Sequence, residues 1–335
     1  MKQNGQNLKS ITHCFHVLIT TILLFVFCSS SQAEEFEIKH ADSLEADKNQ
    51  ISVTGNIIIN YKDAVIEAPL GKIQTDNDGK LEKASFFGRA KIHLKDRSIE
   101  ADKITILMPN KKILAEGKTL SELKDKKNNL IMIASDYQQL LWNGEDANAK
   151  GNLLATFQDT KITAEQAQII YKNKKPYQAV FYGGSEPANL EQPTNKTSAN
   201  EIIFDINTQN IQAFGDVKTA AWPDQTRSKD KQDLVLVSTE NLLVDQDTGT
   251  ITAKADVKTV KVSYQDTNGE SQEAFLIKSN KDGKPEKIVF KGNANVSQPD
   301  KQISSEEVVF SFKDKKLTSN TKINKRPKTL IFKKE

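Results

Sequence analysis

The stretch ISVTGNIIINYKDAVIEAPLGKI, residues 51–73, decides the fold. It holds two apolar runs, with a Gly-Asn pair inside the first and a polar NYKD at 60–63 between them. Apolar residues at every second position mark a strand with one buried face. NYKD suits a tight turn. Gly55 therefore marks a bend or bulge within a strand rather than the turn itself.

The unit recurs. A Gly followed by a polar or small residue stands between short strand-like runs at Gly55, Gly88, Gly117, Gly151, Gly183, Gly215 and Gly292, with Ala255 of ADVKT in the same role. Successive spacings are 33, 29, 34, 32, 32, 40 and 37 residues, the mark of a repeat architecture. A second marker, a small residue followed by an acid or amide and then a strand, lies in most intervals. It reads IEADKITI from Ile99, IASDYQQL from Ile133, ITAEQAQI from Ile162 and TSANEIIF from Thr197, and HADSLEAD at 40–47 is the same element. IEAPLGKI from Ile66 carries Pro69 at the acidic step. Polar tips such as NDGK (77–80), PNKK (109–112) and KDGK (281–284) separate the runs, NDGK and KDGK being the firmest hairpin turns.

Within the runs, Ala90, Ile92 and Leu94 fall on one side and Lys91, His93 and Lys95 on the other. Ile104, Ile106 and Met108 share a face, as do Ile202, Phe204 and Ile206. Phe86, Phe157, Phe181, Phe204 and Phe214 are assigned to the same inward set. No stretch after residue 34 shows a capped apolar helical stripe. One such repeat cannot bury its apolar face alone, so repeats stack edge to edge and the sheet folds over itself. The expected fold is all-β: a long antiparallel sheet of repeated short strands, V-shaped or jellyroll-like in section.

Composition agrees. The chain has 335 residues, of which 37% are hydrophobic and 27% charged. A compact single core of this size ordinarily contains more apolar residues, so the numbers favour a shape with much surface per residue. Residues 1–33 stand apart. Lys2 and Lys9 precede the apolar run VLITTILLFVF, and SQA at 31–33 offers small residues for a signal peptidase. This reads as a signal peptide cleaved before Glu34, giving an exported, periplasmic chain over 34–335. An uncleaved inner-membrane anchor is the alternative, for which the run is short. Both cysteines, Cys14 and Cys28, fall in this segment, so the mature chain has neither thiol chemistry nor disulfides. Loss of Lys2 and Lys9, with no acids, lowers the formal charge from +3 to +1. That balance gives no reason to expect nucleic acid as a partner.

Residues that carry chemistry are sparse. His40 and His93 are the only histidines after the signal, without metal-ligand spacing. Acids are scattered at strand starts and tips, where solvated turn residues are the simplest account. A carboxylate pair acting on polysaccharide stays open on spacing alone. No catalytic residue, metal or cofactor is expected. NKT at Asn195 and NVS at Asn295 match a glycosylation sequon. KINKRPKTLIFKK at 322–334 is either a polar cap on the last repeat or a contact for anionic lipid heads. The stretch 220–234 is the most loop-like, and two modules meeting there are the alternative to one continuous unit.

The ordered series HADSLEAD, ISVTGNIII, AVIEA, GKLEKASFFGRAKI and RSIEADKITI resembles the OstA-like family, most clearly over about residues 38–120. That family includes a periplasmic lipopolysaccharide-transport protein and the pre-barrel part of an outer-membrane lipopolysaccharide assembly protein. The resemblance implies an elongated twisted β-jellyroll that carries lipopolysaccharide or a similar glycolipid along an interior apolar groove, without catalysis. It implies as partners other lipopolysaccharide-transport bridge proteins, or further copies of the chain joined by edge-strand pairing. The mature chain is longer than a typical periplasmic member, and no aromatic-girdled barrel strands follow residue 320. Matching positions and alternation select Ile51, Val53, Ile57, Ile59, Val65, Ile92, Leu94, Ile104 and Ile106 as groove-wall candidates. Leu154, Ile162, Ile169, Ile202 and Phe204 are their counterparts in later repeats. If the walls meet, the same residues form a closed core, and the chain is instead a structural or adhesive β-repeat protein of the envelope.

Overall fold

The computed structural model describes residues 36–332 except 96, 143–145, 174, 222–233, 280–283 and 321–326. The expected signal peptide, the KDGK turn, most of the 220–234 stretch and part of the C-terminal lysine cluster lie outside the described residues. What is described is all-β, elongated and joined in one 24-stranded antiparallel sheet.

Strands β1 (Phe36–His40) and β2 (Ser43–Ala46) lie end to end against β3 (Gln50–Tyr61). The ladder then follows chain order through β4 (Ala64–Thr75), β5 (Leu81–Leu94), β6 (Arg97–Leu107), β7 (Lys112–Lys124), β8 (Leu130–Leu141), β9 (Asp146–Phe157) and β10 (Thr160–Lys172). Beyond β10 some rungs are split in two. β11 (Lys175–Tyr182) and β12 (Ala188–Glu191) share one rung, and β13 (Asn195–Ala199) and β14 (Glu201–Asp205) the next. β15 (Ile211–Ala221) and β16 (Val235–Asp245) are long again and pair directly on either side of 222–233. Next come the halves β17 (Thr250–Lys254) with β18 (Val260–Tyr264), and β19 (Thr267–Ser271) with β20 (Glu273–Lys278). β21 (Pro285–Gln298) and β22 (Lys301–Ser311) follow, and β23 (Lys316–Asn320) and β24 (Lys328–Ile331) form the last rung. Among the described residues the first rung pairs only with β3 and the last only with β22, which leaves an open edge at each end.

Each rung bends in its middle, and the two sequence markers meet there. The Gly and the residue after it both take positive φ at Gly55–Asn56, Gly88–Arg89, Gly117–Lys118, Gly151–Asn152, Gly215–Asp216 and Gly292–Asn293. The Gly-bearing strand gains one residue over both neighbours at that point, which is a bulge that sharpens the bend. On the adjacent rung the acid or amide of the second marker covers the Gly, except at Gly88, where Pro69 does so. A Cβ on Gly151 would lie 2.6 Å from Asp136 Oδ2, and one on Gly215 would lie 2.7 Å from Asn200 Nδ2. Asn152 Nδ2 donates to Asp136 Oδ2 at 2.7 Å, and Asn56 Nδ2 to Asp42 Oδ2 at 3.2 Å. Gly serves because the left-handed region is open to it, and Asn follows because it tolerates that region and its amide reaches the carboxylate.

The bend shifts the alternation. In Gly-bearing strands the inward residue jumps by four, from Val53 to Ile57 and from Phe86 to Ala90. In the strands between, it jumps by three, from Ala68 to Gly71 and from Ala101 to Ile104. Three residues expected to face inward do not. Val65, selected by matching positions and alternation, is 37% exposed, and its neighbour Ile66 is the buried residue. Leu154 is the outward half of a Leu153–Leu154 doublet, 40% exposed, and Leu153 shares the phase of Ala155 and Phe157. Phe214 is likewise only half-buried, because Ala213 takes the inward position before the bulge.

Candidate functional site: the interior between two rims

Folding at the bend gives each rung two arms, and the inward residues of all arms form one apolar cluster from Val53 to Leu317. Of the groove-wall candidates, Val53, Ile57, Ile59, Ile92, Ile104, Ile106, Ile162, Ile169, Ile202 and Phe204 are buried in it. Ile51 and Leu94 are half-buried against it. The arms meet across the interior. Gly71 of one arm sits where a Cβ would touch Ile57 of the other at 3.3 Å. Farther along, the Phe290 ring fills the space a Cβ on Gly269 would need.

Because consecutive rungs run in opposite directions, their turns form two rims. Turns 62–63, 158–159 and 265–266 belong to one, and turns 108–111, 206–208, 246–249 and 312–315 to the other. Side chains join the rims at intervals. The Trp142 ring stands edge-on to Tyr61, centroids 5.0 Å apart, and its Nε1 donates to Asp63 Oδ1 at 3.2 Å. Arg97 donates to the Trp142 carbonyl at 2.8 Å. Phe157 meets Phe204 at 5.8 Å, and above them Gln209 Nε2 donates to Gln158 Oε1 at 3.0 Å. Gln246 donates to Gln192 at 3.0 Å. Tyr264 packs on Phe312 at 4.9 Å. Among the described residues no ladder and no backbone-to-backbone hydrogen bond passes from one rim to the other.

Where the rims meet, little space is left between the arms. Beneath Phe157 and Phe204 a gap lined by Ile162, Ile169 and Phe181, with Thr156 and Thr160, measures about 20 Å³. That is room for one water, far below the roughly 300 Å³ at which ligand pockets begin.

The interior is not uniformly apolar. Gln138 is buried in the arm that ends at Trp142. Its Nε2 donates to Thr119 Oγ1 at 2.8 Å and to the Ile133 carbonyl at 2.9 Å, and its Oε1 accepts from Ser121 at 2.5 Å. Alternation could not have singled out this residue, since a polar side chain at an inward position reads as a break in the pattern. We expect Gln138→Ala to cost about 1–3 kcal/mol in urea unfolding, because Ser121 is left buried without its acceptor, while Thr119 keeps its bonds to Ser135.

Electrostatics give no reactive constellation. No group of three or more His, Cys, Asp or Glu could hold a metal among the described residues. His40 stands 3.5 Å from Asp42 at the exposed first bend. Burial, with a smaller contribution from Glu116, raises the Tyr137 hydroxyl above its usual range. Burial alone lowers the Lys278 ammonium. The hydrogen bond and charge of Lys258 hold Asp216 low. Asn195 of the first sequon is buried and its Nδ2 donates to Gln192 Oε1 at 2.9 Å, so the folded chain does not present that amide. No helix among the described residues is long and apolar enough to cross a membrane.

No family model matches the chain, and no curated protein matches it. Among solved structures it is similar to LptH of Pseudomonas aeruginosa, described as the LptA-homologous periplasmic component of the conserved lipopolysaccharide transport device. Identity is 13% and the TM-score 0.26, over 52% of this chain and 95% of that one. That likeness is distant, and too loose to carry a function by itself.

Proposed function

We propose that this chain is a non-catalytic periplasmic carrier or bridge for an amphipathic glycolipid of the lipopolysaccharide kind. The acyl chains would lie between the two arms, in an open V-shaped section, and the sugars outside. The observation that carries this reading is the mouth. One apolar interior runs the length of the ladder, and among the described residues only side chains hold its two rims together. Such contacts part without breaking a single rung, whereas a sealed barrel would lose backbone pairing. The ordered motifs shared with the OstA-like family point the same way. Among the described residues the edges at the first rung and at the β23–β24 rung carry unpaired backbone groups, which suit another bridge protein or a second copy.

A second reading, a structural envelope protein with a closed core, is favoured by the small interior gap. The two separate by photo-crosslinking in cells that make lipopolysaccharide. A crosslinking residue at Ile92, Ile162 or Phe204 is expected to capture the lipid, while one at outward Val65 or Leu154 captures none. Exported, folded protein without lipid adducts at any inward position would establish the closed core instead.

A further inference from the structure

The two places where the repeat is broken lie on one outer face and flank one groove. After Tyr182 the chain leaves the ladder over 183–187 and returns as β12, and after Lys254 it leaves over 255–259 and returns as β18. Four strand spacings separate these departures, about 19 Å at roughly 4.8 Å each. Both are built shoulders. Gly183 N–H donates to the Asn200 carbonyl at 2.8 Å, and a Cβ on Gly183 would lie 2.8 Å from the Glu186 carbonyl. On the other side, the N–H groups of Asp256, Val257 and Lys258 converge on Glu240 Oε2 at 2.7, 2.8 and 3.2 Å.

Between the shoulders the outward residues form two cross-strand rows. Ser198, Lys218, Ser238 and Lys261 are successive partners in the first, and Lys196 and Leu236 stand in the second with Ala220 between them. They line a concave space of about 400 Å³, which continues past Ser198 and Lys218 into a second of about 280 Å³ beneath 183–187. The larger is within the usual range of a ligand site. Its charge is not balanced. Lys261 pairs with Glu270 at 3.5 Å, and Lys258 takes Asp216 at 2.8 Å. Lys196 and Lys218 form no ion pair among the described residues and both are exposed; the carboxylates lining the second space are Glu186 and Asp216, and Asp216 feels the Lys218 charge besides its bond to Lys258.

We infer that this groove binds an anionic saccharide, a short sugar chain bearing carboxylate or phosphate groups. Two ammonium groups without ion-pair partners among the described residues supply the charge complement. The hydroxyls of Ser198 and Ser238 match sugar hydroxyls, and Leu236, 50% exposed, offers a face for ring C–H groups. None of the described residues lining either space is aromatic, and they offer no platform for stacking a nucleobase. The site is on the outer wall and stands independently of any lipid in the interior.

The test is calorimetric titration of the full exported chain with trigalacturonic acid, neutral maltotriose, glucose 1-phosphate and inorganic phosphate. Trigalacturonate, glucose 1-phosphate or both should bind saturably, which separates carboxylate from phosphate recognition, and maltotriose should not bind. The paired change Lys196→Gln/Lys218→Gln should weaken binding at least tenfold, as should Leu236→Asp, with thermal unfolding unchanged. Lys72→Gln/Lys91→Gln, on the outer face of a distant part of the ladder, should leave it unaltered. Equal loss from the distant pair, no saturable binding of either charged sugar, or inorganic phosphate binding as tightly as both would overturn the inference. None of these outcomes bears on lipid crosslinking from Phe204.

Discussion

Trp142→Ala should destabilise the chain by about 3–5 kcal/mol, the range for deleting a buried large aromatic side chain. Trp142 is 8% exposed and touches both rims at once. Its removal takes away the edge-on contact with Tyr61 and the bond to Asp63, while Arg97 keeps its hold on the backbone carbonyl. Trp142→Phe retains a ring against Tyr61 and loses the N–H donor, so it should cost less, on the order of 1–2 kcal/mol. Urea unfolding followed by far-ultraviolet circular dichroism measures both. If the interior is a lipid path, Trp142→Ala should also raise lipid crosslinking from Ile92, because the nearby mouth is freed. A cost below about 1 kcal/mol for the Ala variant would mean that the rims do not depend on this clasp.

The second large effect is at the other end, where Gly269 faces Phe290. Gly269 does not have a positive φ, so an Ala there adds bulk without backbone strain. Overpacking of this kind costs about 1–3 kcal/mol, and Phe290→Ala alone should cost about 3–5 kcal/mol through the cavity it leaves. Combining Gly269→Ala with Phe290→Leu should recover part of the loss, with a coupling on the order of 0.5–3 kcal/mol. Strict additivity would show that the two arms do not touch at this point. The pair is informative because Gly269 pairs with Val296, beyond the bulge, while Phe290 precedes it. Their contact therefore exists only if the rung is folded.

How far such features are visible before folding depends on the range of the interaction. Period two is a property of the backbone, since successive side chains leave a strand on opposite faces. It identifies Ile57, Ile59, Ile92, Ile104, Ile106 and Ile202 as inward residues from a few neighbours alone. The Gly and acid markers are visible for a similar reason, because each is a short local pattern. That they form one corner is not visible, because Gly151 and Asp136 stand on different strands. The corner in turn offsets the count that would carry alternation from one arm into the next, as between Ala68 and Gly71. The rims are more remote still. Trp142 and Asp63 are 79 positions apart, and which turns face each other depends on the twist summed over the intervening rungs.

The amino-acid sequence by itself determined an all-β ladder of bent repeats with one apolar and one polar face, since strand alternation and turn chemistry act over a handful of residues. The tertiary structure alone decided that the Gly and the acid share a corner, that Val65 and Leu154 face outward, and that side chains close the mouth. Those outcomes rest on contacts between residues tens of positions apart, which exist only after the sheet has twisted and folded onto itself.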